Sequence, residues 1–176
     1  NLAQTVSFNF ALDGGNPVAF ALSGGADTVQ LAVGTNNILG VLDTENVNFA
    51  NGSSGASTIN FTLPVGNATD LTIGGLNGAS NTLTLNLSSL GPNQVTLGGE
   101  ITAVGGAFAD TFKISSSNLG EGSNLTGGGG VDTVEITSGT SASFTNSLLS
   151  GIEILKNTDN SGSASTFTLD AADLTG

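Results

Sequence analysis

One stretch decides the fold of this chain: Gly127-Gly128-Gly129-Gly130-Val131-Asp132-Thr133-Val134-Glu135. Glycines adopt backbone angles that other residues resist, so this run can turn tightly and aim its carbonyl oxygens inward. Asp132 adds a carboxylate beside the turn, and hard cations such as calcium prefer carbonyl and carboxylate oxygens together. The next residues alternate polar and apolar, as a half-buried strand does. A simple Gly-rich turn before a strand is the alternative interpretation, and recurrence of the pattern favours the cation site.

The pattern recurs twice upstream, at Ser23–Gln30 and at Gly105–Lys113. Asp27 and Asp132 are 105 residues apart, and segments around them match in the same order at nearly the same offset. We therefore predict one continuous solenoid over residues 1–176 with an internal repeat of about 106 residues. Its first unit covers residues 4–109, and a partial second unit covers residues 110–176.

Short runs of alternating apolar and polar residues dominate the chain, and helical periodicity is nearly absent. The low aromatic content and ladders of small outward residues favour a β-solenoid over a β-sandwich. We predict these strands: Thr5–Phe10, Pro17–Leu22, Asp27–Ala32, Asn46–Phe49, Thr58–Leu63, Asp70–Ile73, Asn81–Leu87, Gln94–Leu97, Ile101–Val104, Thr111–Ile114, Asp132–Thr137, Ala142–Phe144, Ile152–Leu155 and Ser165–Leu169.

Composition restricts the possible functions. The chain lacks Cys, His, Trp, Tyr, Met and Arg, and it carries a formal charge of −12 with only two lysines, Lys113 and Lys156. Nucleic acid and anionic membranes are therefore poor partners. Because the usual catalytic and substrate-holding side chains are missing, we expect no enzyme. No run approaches the ~18 apolar residues of a membrane span. An acidic, Cys-free chain that does not begin with Met suits a processed product or fragment of an extracellular bacterial protein.

The nonamers resemble the calcium-binding repeats of RTX (haemolysin-type) proteins, whose pattern is G-G-x-G-x-D-x-U-x with U apolar. Gly127–Glu135 matches at every fixed position, Gly105–Lys113 misses one glycine, and Leu22–Gln30 keeps three positions. The order of these segments, followed by Gly151–Leu155, is similar to RTX-type bacterial surface-layer proteins. The resemblance implies a right-handed parallel β-roll or β-helix whose turns bind calcium and whose U residues face the core.

Carried over by position, the resemblance implies three groups of calcium ligands. The carbonyls of Gly127 and Gly129 with the Asp132 carboxylate would form one side of a site, a second group would face it, and a third would form a weaker site. Asp110 and Asp132 lie 22 residues apart, with Ser115–Asn124 inserted, so we expect one to three isolated sites rather than a continuous row. The facing side would be Gly105, Ala107 and Asp110, and the weaker site would be Gly24 with Asp27.

We expect a calcium-binding structural module of a secreted, self-assembling bacterial surface layer, in contact with other copies. A cell-surface glycan or lipopolysaccharide is a further candidate partner. A spacer or glycan-binding module of an RTX adhesin or biofilm protein is one alternative. An accessory module of a secreted enzyme is another. Glu45 and Glu153 precede apolar strands at matching positions. Closing a turn is a more common role for such charges than binding a metal.

Overall fold

The computed structural model describes residues 2–22, 25–42, 44–49, 55–66, 71–74, 82–119, 123–145, 148–159, 161 and 164–169. These residues form seventeen strands and one short 3₁₀ turn, Ser116–Asn118. The strands are β1 (Thr5–Ser7), β2 (Val18–Ala21), β3 (Thr28–Leu31), β4 (Thr35–Leu42), β5 (Asn46–Phe49), β6 (Ala56–Phe61), β7 (Leu71–Ile73), β8 (Thr82–Asn86), β9 (Gln94–Leu97), β10 (Thr102–Val104), β11 (Thr111–Ser115), β12 (Asn124–Thr126), β13 (Thr133–Ser138), β14 (Ser141–Ser143), β15 (Leu148–Ser150), β16 (Ile154–Asn157) and β17 (Thr166–Thr168).

The chain winds alternately through two parallel sheets. Sheet A has the order β1-β3-β5-β7-β9-β11-β13-β16, and sheet B has the order β15-β12-β10-β8-β6-β4-β2. A small sheet C pairs β14 with β17. Every pairing is parallel, because each coil places its strands directly beside those of the coil before it. The predicted all-β parallel β-solenoid is confirmed.

Alternation within the strands builds the core. In β11, Phe112 and Ile114 are buried while the residues between them are half-buried, and β13 repeats the pattern with Val134 and Ile136. Side chains of successive residues point to opposite faces of a strand, so each strand of sheet A from β3 to β13 sends two apolar side chains between the sheets. The apolar positions of the three nonamers, Val29, Phe112 and Val134, are all fully buried, as predicted.

Strands with strict alternation match their predicted positions. Asn46–Phe49 and Gln94–Leu97 have the predicted limits, whereas three strands were not predicted: β4, β12 and β15. All three belong to sheet B. In β4 the polar Asn36 points into the core and Gly40 interrupts the apolar series, so the alternation is hidden. The other two are only three residues long.

The described residues of the segment Ser115–Asn124, which was expected as an insertion, belong to the coil between β11 and β13. It carries the 3₁₀ turn and leads into β12 of sheet B. One full coil therefore separates Asp110 from Asp132. Within the described part of the chain, no helix has the length and apolar character needed to span a membrane.

Candidate metal site

The predicted site residues lie in the turns that lead from sheet B into sheet A, here called the B-to-A corner. Residues 105–110 follow β10 and residues 127–132 follow β12, and both turns enter sheet A at paired residues, Thr111 and Thr133. The N–H of Gly129 donates to the carbonyl of Gly106 at 3.0 Å. The two turns are thus neighbours in adjacent coils. Asp27 occupies the same corner nearer the start of the chain, and Gly24 lies outside the described residues.

Glycine is required where these turns stack. A Cβ at Gly127 would overlap the carbonyl oxygen of Gly151 and Oδ2 of Asp132, and one at Gly105 would overlap the carbonyl oxygen of Gly127. The same position at Gly105 lies 2.5 Å from Oδ2 of Asp110. The Cβ position of each of these two glycines therefore lies close to one carbonyl oxygen from the next coil and one carboxylate oxygen from its own.

A ladder of hydrogen bonds joins side chains along the B-to-A corner. Oδ1 of Asp110 accepts from the backbone N–H of Asn93, and Oδ1 of Asp132 accepts from that of Asp110, both at 2.7 Å. Oε2 of Glu153 then accepts from the N–H of Asp132, also at 2.7 Å. Each acidic side chain therefore satisfies a backbone donor of the preceding coil, which ties adjacent coils together.

The first coils carry a second, shorter ladder with the same design. Oδ1 of Asp27 accepts from the N–H of Gln4 at 2.7 Å, and Oε2 of Glu45 accepts from the N–H of Asp27 at 2.6 Å. Among the described residues, both ladders end on a glutamate. For Glu45 and Glu153 the sequence allows a metal ligand and favours a residue that closes a turn. The matching order of Asp and Glu, offset by about one repeat, was the signal for their place beside the aspartates.

Asn93, at the equivalent place in the coil before Asp110, closes its turn with its own side chain. Oδ1 of Asn93 accepts from the N–H of Val65, while its Nδ2 donates to the carbonyls of Ser88 at 2.9 Å and Gly91 at 3.2 Å. Its Nδ2 also donates to Oδ1 of Asp110 at 2.7 Å. The amide nitrogen thus bridges turn carbonyls, which need a donor or a cation nearby.

Asn36, at the opposite corner, uses its side chain in the same way. Its Oδ1 accepts from the N–H of Leu12 at 3.0 Å. Its Nδ2 donates to the carbonyls of Ala32 at 3.0 Å and Gly34 at 3.2 Å. The recurrence at two corners shows that a planar side chain with one accepting and one donating end fits these turns.

Asp132 has the accepting end but not the donating one. Its Oδ1 takes the N–H from the preceding coil, and its buried Oδ2 has no hydrogen-bond partner among the described residues. Oδ2 of Asp27 is in the same situation. Asp110 differs, because its Oδ2 accepts from the N–H of Gly106 at 2.6 Å. A buried carboxylate oxygen without a partner is costly unless a proton or a cation reaches it.

Electrostatics at Asp132 support the same conclusion. Burial raises the pKa of Asp132 above its ordinary 3.8, and the negative charges of Asp110 and Glu153 add to the increase, while the N–H of Asp110 opposes it. The register places Lys113 and Lys156 on either side of Glu135 in sheet A, three residues beyond the ladder row. Positive charge for Asp132 would therefore come from solution.

The oxygens near Asp132 suit a hard cation. Its Oδ2 and the carbonyl oxygen of Gly151 lie side by side at the Cβ position of Gly127, and Oδ2 of Asp110 and the carbonyl oxygen of Gly127 lie side by side at that of Gly105. The described residues contain no group of three or more acidic, His or Cys side chains that could hold a metal. Backbone carbonyls and water would have to complete the coordination, as they commonly do for calcium. The sequence did not point to Gly151, whose φ is +60°.

Each predicted ligand thus has a defined place, apart from Gly24. The structure brings together Gly105, Asp110, Gly127 and Asp132, and it sets Gly129 over Ala107, with the Cβ position of Gly129 3.3 Å from the Ala107 carbonyl oxygen. Asp27 belongs to the separate ladder. Comparisons of the chain with protein-family models, with curated proteins and with solved structures found no match.

Proposed function

We propose that this chain is a calcium-stabilised structural module of an extracellular, self-assembling bacterial surface layer. The proposal rests on Oδ2 of Asp132, which is buried beside the Gly151 carbonyl and has no hydrogen-bond partner in the described part of the chain. In the Asn93 turn an amide nitrogen bridges such carbonyls. A cation in the Asp132 turn would bridge the carbonyl oxygens in place of the amide, and the carboxylates of Asp132 and Asp110 would attract it.

Calcium is the cation that this set of oxygens favours. Calcium takes six to eight oxygen ligands in flexible geometry, whereas magnesium demands near-ideal octahedral geometry and keeps its waters. Asp132 and Asp110 would provide carboxylate oxygens, and Gly151 and Gly127 would provide carbonyl oxygens. Because the turns stack only in the folded state, binding there would be coupled to folding and would stabilise it.

Composition supports a structural role outside the cell. The chain has no Cys to depend on a reducing compartment, and its −12 charge opposes compaction and close approach of copies unless cations bind. Depletion of His, Arg, Tyr and Trp leaves little chemistry for catalysis. The carboxylates in the ladders already hold backbone N–H groups, which fits a part in coil stacking.

Calcium removal tests the proposal. We expect the thermal midpoint to rise by roughly 5–10 °C when free calcium reaches one hundred times its dissociation constant. Sedimentation velocity should show larger assemblies in calcium than in chelator, and magnesium at equal concentration is the control. If neither the midpoint nor the assembly state changes in millimolar calcium, the proposal is wrong. A higher midpoint without assembly favours a spacer or accessory module, and glycan binding by a calcium-loaded monomer favours an adhesin.

A further inference from the structure

Sheet B is free of charge although the chain as a whole is strongly acidic. The chain has fourteen acidic residues and two lysines, and none of them lies in the seven strands of sheet B. Sheet A, in contrast, carries Lys113, Glu135 and Lys156 in one row. The outward face of sheet B is therefore an extended neutral surface on a protein of net charge −12.

Two rows of identical side chains run across this face. Thr35, Thr58, Thr84 and Thr102 are paired in register from β4 to β10. The parallel row contains Asn37, Asn60 and Asn86. Neighbouring strands lie about 4.8 Å apart, so each row repeats at that interval along the solenoid.

The asparagine row is a hydrogen-bonded ladder. Nδ2 of Asn60 donates to Oδ1 of Asn37 at 2.9 Å, and Nδ2 of Asn86 donates to Oδ1 of Asn60 at 2.6 Å. A carboxamide has two N–H donors and two acceptor lone pairs. The middle side chain thus keeps one donor and one acceptor for a partner outside the chain. A surface that offers donors and acceptors in equal number is complementary to a second copy of itself.

The charge distribution favours a second copy as the occupant. Sheets pack about 10 Å apart, which is comparable to the Debye length of about 8 Å at physiological ionic strength. When two copies meet through sheet B, the charges of each sheet A lie one sheet spacing away from the contact. Salt therefore screens much of their repulsion. A carbohydrate is less suited, because the outward positions of β4, β6, β8 and β10 contain no aromatic ring on which a sugar could stack.

We propose that two copies of this chain associate through the outward faces of sheet B, with the threonine and asparagine rows of one copy against those of the other. The contact rests on the self-assembly in the proposed function and assigns it to one surface. Stacked Asn ladders between paired sheets are a known way in which identical chains pack. The calcium turns lie at the B-to-A corner, so this face stays free when they are occupied.

Charged substitutions at Thr84 test the contact. Thr84→Glu and Thr84→Lys should each weaken self-association by at least about tenfold in sedimentation equilibrium, because like charges then meet across the interface. The lysine variant is decisive, since it lowers the net negative charge and would strengthen association if only overall repulsion mattered. Thr96→Glu and Thr96→Lys, on the outward face of sheet A, are matched controls that should associate like the wild type. Circular dichroism confirms that each variant folds, and Thr58→Lys replaces any Thr84 variant that does not.

Several results would overturn the proposal. Unchanged association of both Thr84 variants, or weakening by the Thr96 variants alone, would place the contact elsewhere. A wild type that stays monomeric in calcium and in chelator would remove the contact, while a calcium-dependent midpoint in the same samples would leave the calcium site standing. If the monomer binds insoluble β-glucan and Thr84→Glu abolishes that binding, the outward face of sheet B is a carbohydrate site and not a contact between copies. Association through Thr84 that ignores calcium supports the contact and counts against the calcium-linked assembly.

Discussion

Gly127→Ala is expected to destabilise the fold by more than about 3 kcal/mol, above the usual cost of overpacking. The added Cβ would overlap the backbone carbonyl of Gly151 as well as the side chain of Asp132. A flexible side chain could rotate away, but a carbonyl held between stacked coils cannot move without separating them. Urea unfolding followed by circular dichroism measures the loss.

Gly129→Ala is the matched control in the same turn. Its Cβ would lie 3.3 Å from the nearest atom, the carbonyl oxygen of Ala107, and the backbone at Gly129 does not have a positive φ. We expect a change within about 1 kcal/mol, since alanine also reduces the entropy of the unfolded chain. Equal losses for the two variants would show that the turns do not stack in the described register.

Phe112→Ala is expected to cost about 3–5 kcal/mol of unfolding free energy. Phe112 is fully buried between the sheets and is among the largest buried side chains of the described core. Its removal leaves a cavity that neighbouring coils cannot close, because their spacing is set by backbone hydrogen bonds. Thermal or urea unfolding provides the measurement.

Phe108 allows a comparison with the same side chain four residues earlier. It lies on the turn with 47% of its surface exposed. Phe108→Ala should change the unfolding free energy by less than about 0.5 kcal/mol, as is usual for surface positions. A larger loss for Phe108→Ala than for Phe112→Ala would mean that the apolar position of this nonamer does not face the core.

The sequence predicted the strands best where alternation was strict. Thr111 to Ile114 alternates cleanly, and its prediction differs from β11 by a single residue. Sheet B was predicted less completely, because Asn36 satisfies its amide inside the core and breaks the pattern that identifies a strand. A polar residue with all its hydrogen bonds made inside the protein cannot be distinguished from a surface residue by sequence alone.

The site was predicted in its residues more than in its contacts. Glycine and aspartate in one turn identified Asp110 and Asp132 as neighbours of backbone carbonyls. Asn93 was not singled out, and Glu153 was expected to close a turn rather than to accept from Asp132, because the coil lengths differ: the hydrogen-bonded pairs are 17, 22 and 21 residues apart along the ladder. Without a constant period, the residue that lies beside a given aspartate follows only from the register of the strands.

In our proposal, a cation completes the turn of Asp132 where an amide completes the turn of Asn93. The most direct measurement is thermal unfolding of the wild type and Asp132→Asn, each in calcium and in chelator. In chelator the variant should be more stable by about 1–3 kcal/mol, the usual penalty of an unsatisfied buried polar group, because its amide reaches the turn carbonyls. Calcium should raise the midpoint of the wild type by a larger amount than that of the variant. A variant that is less stable than the wild type in chelator and responds fully to calcium would show that no cation completes the turn of Asp132.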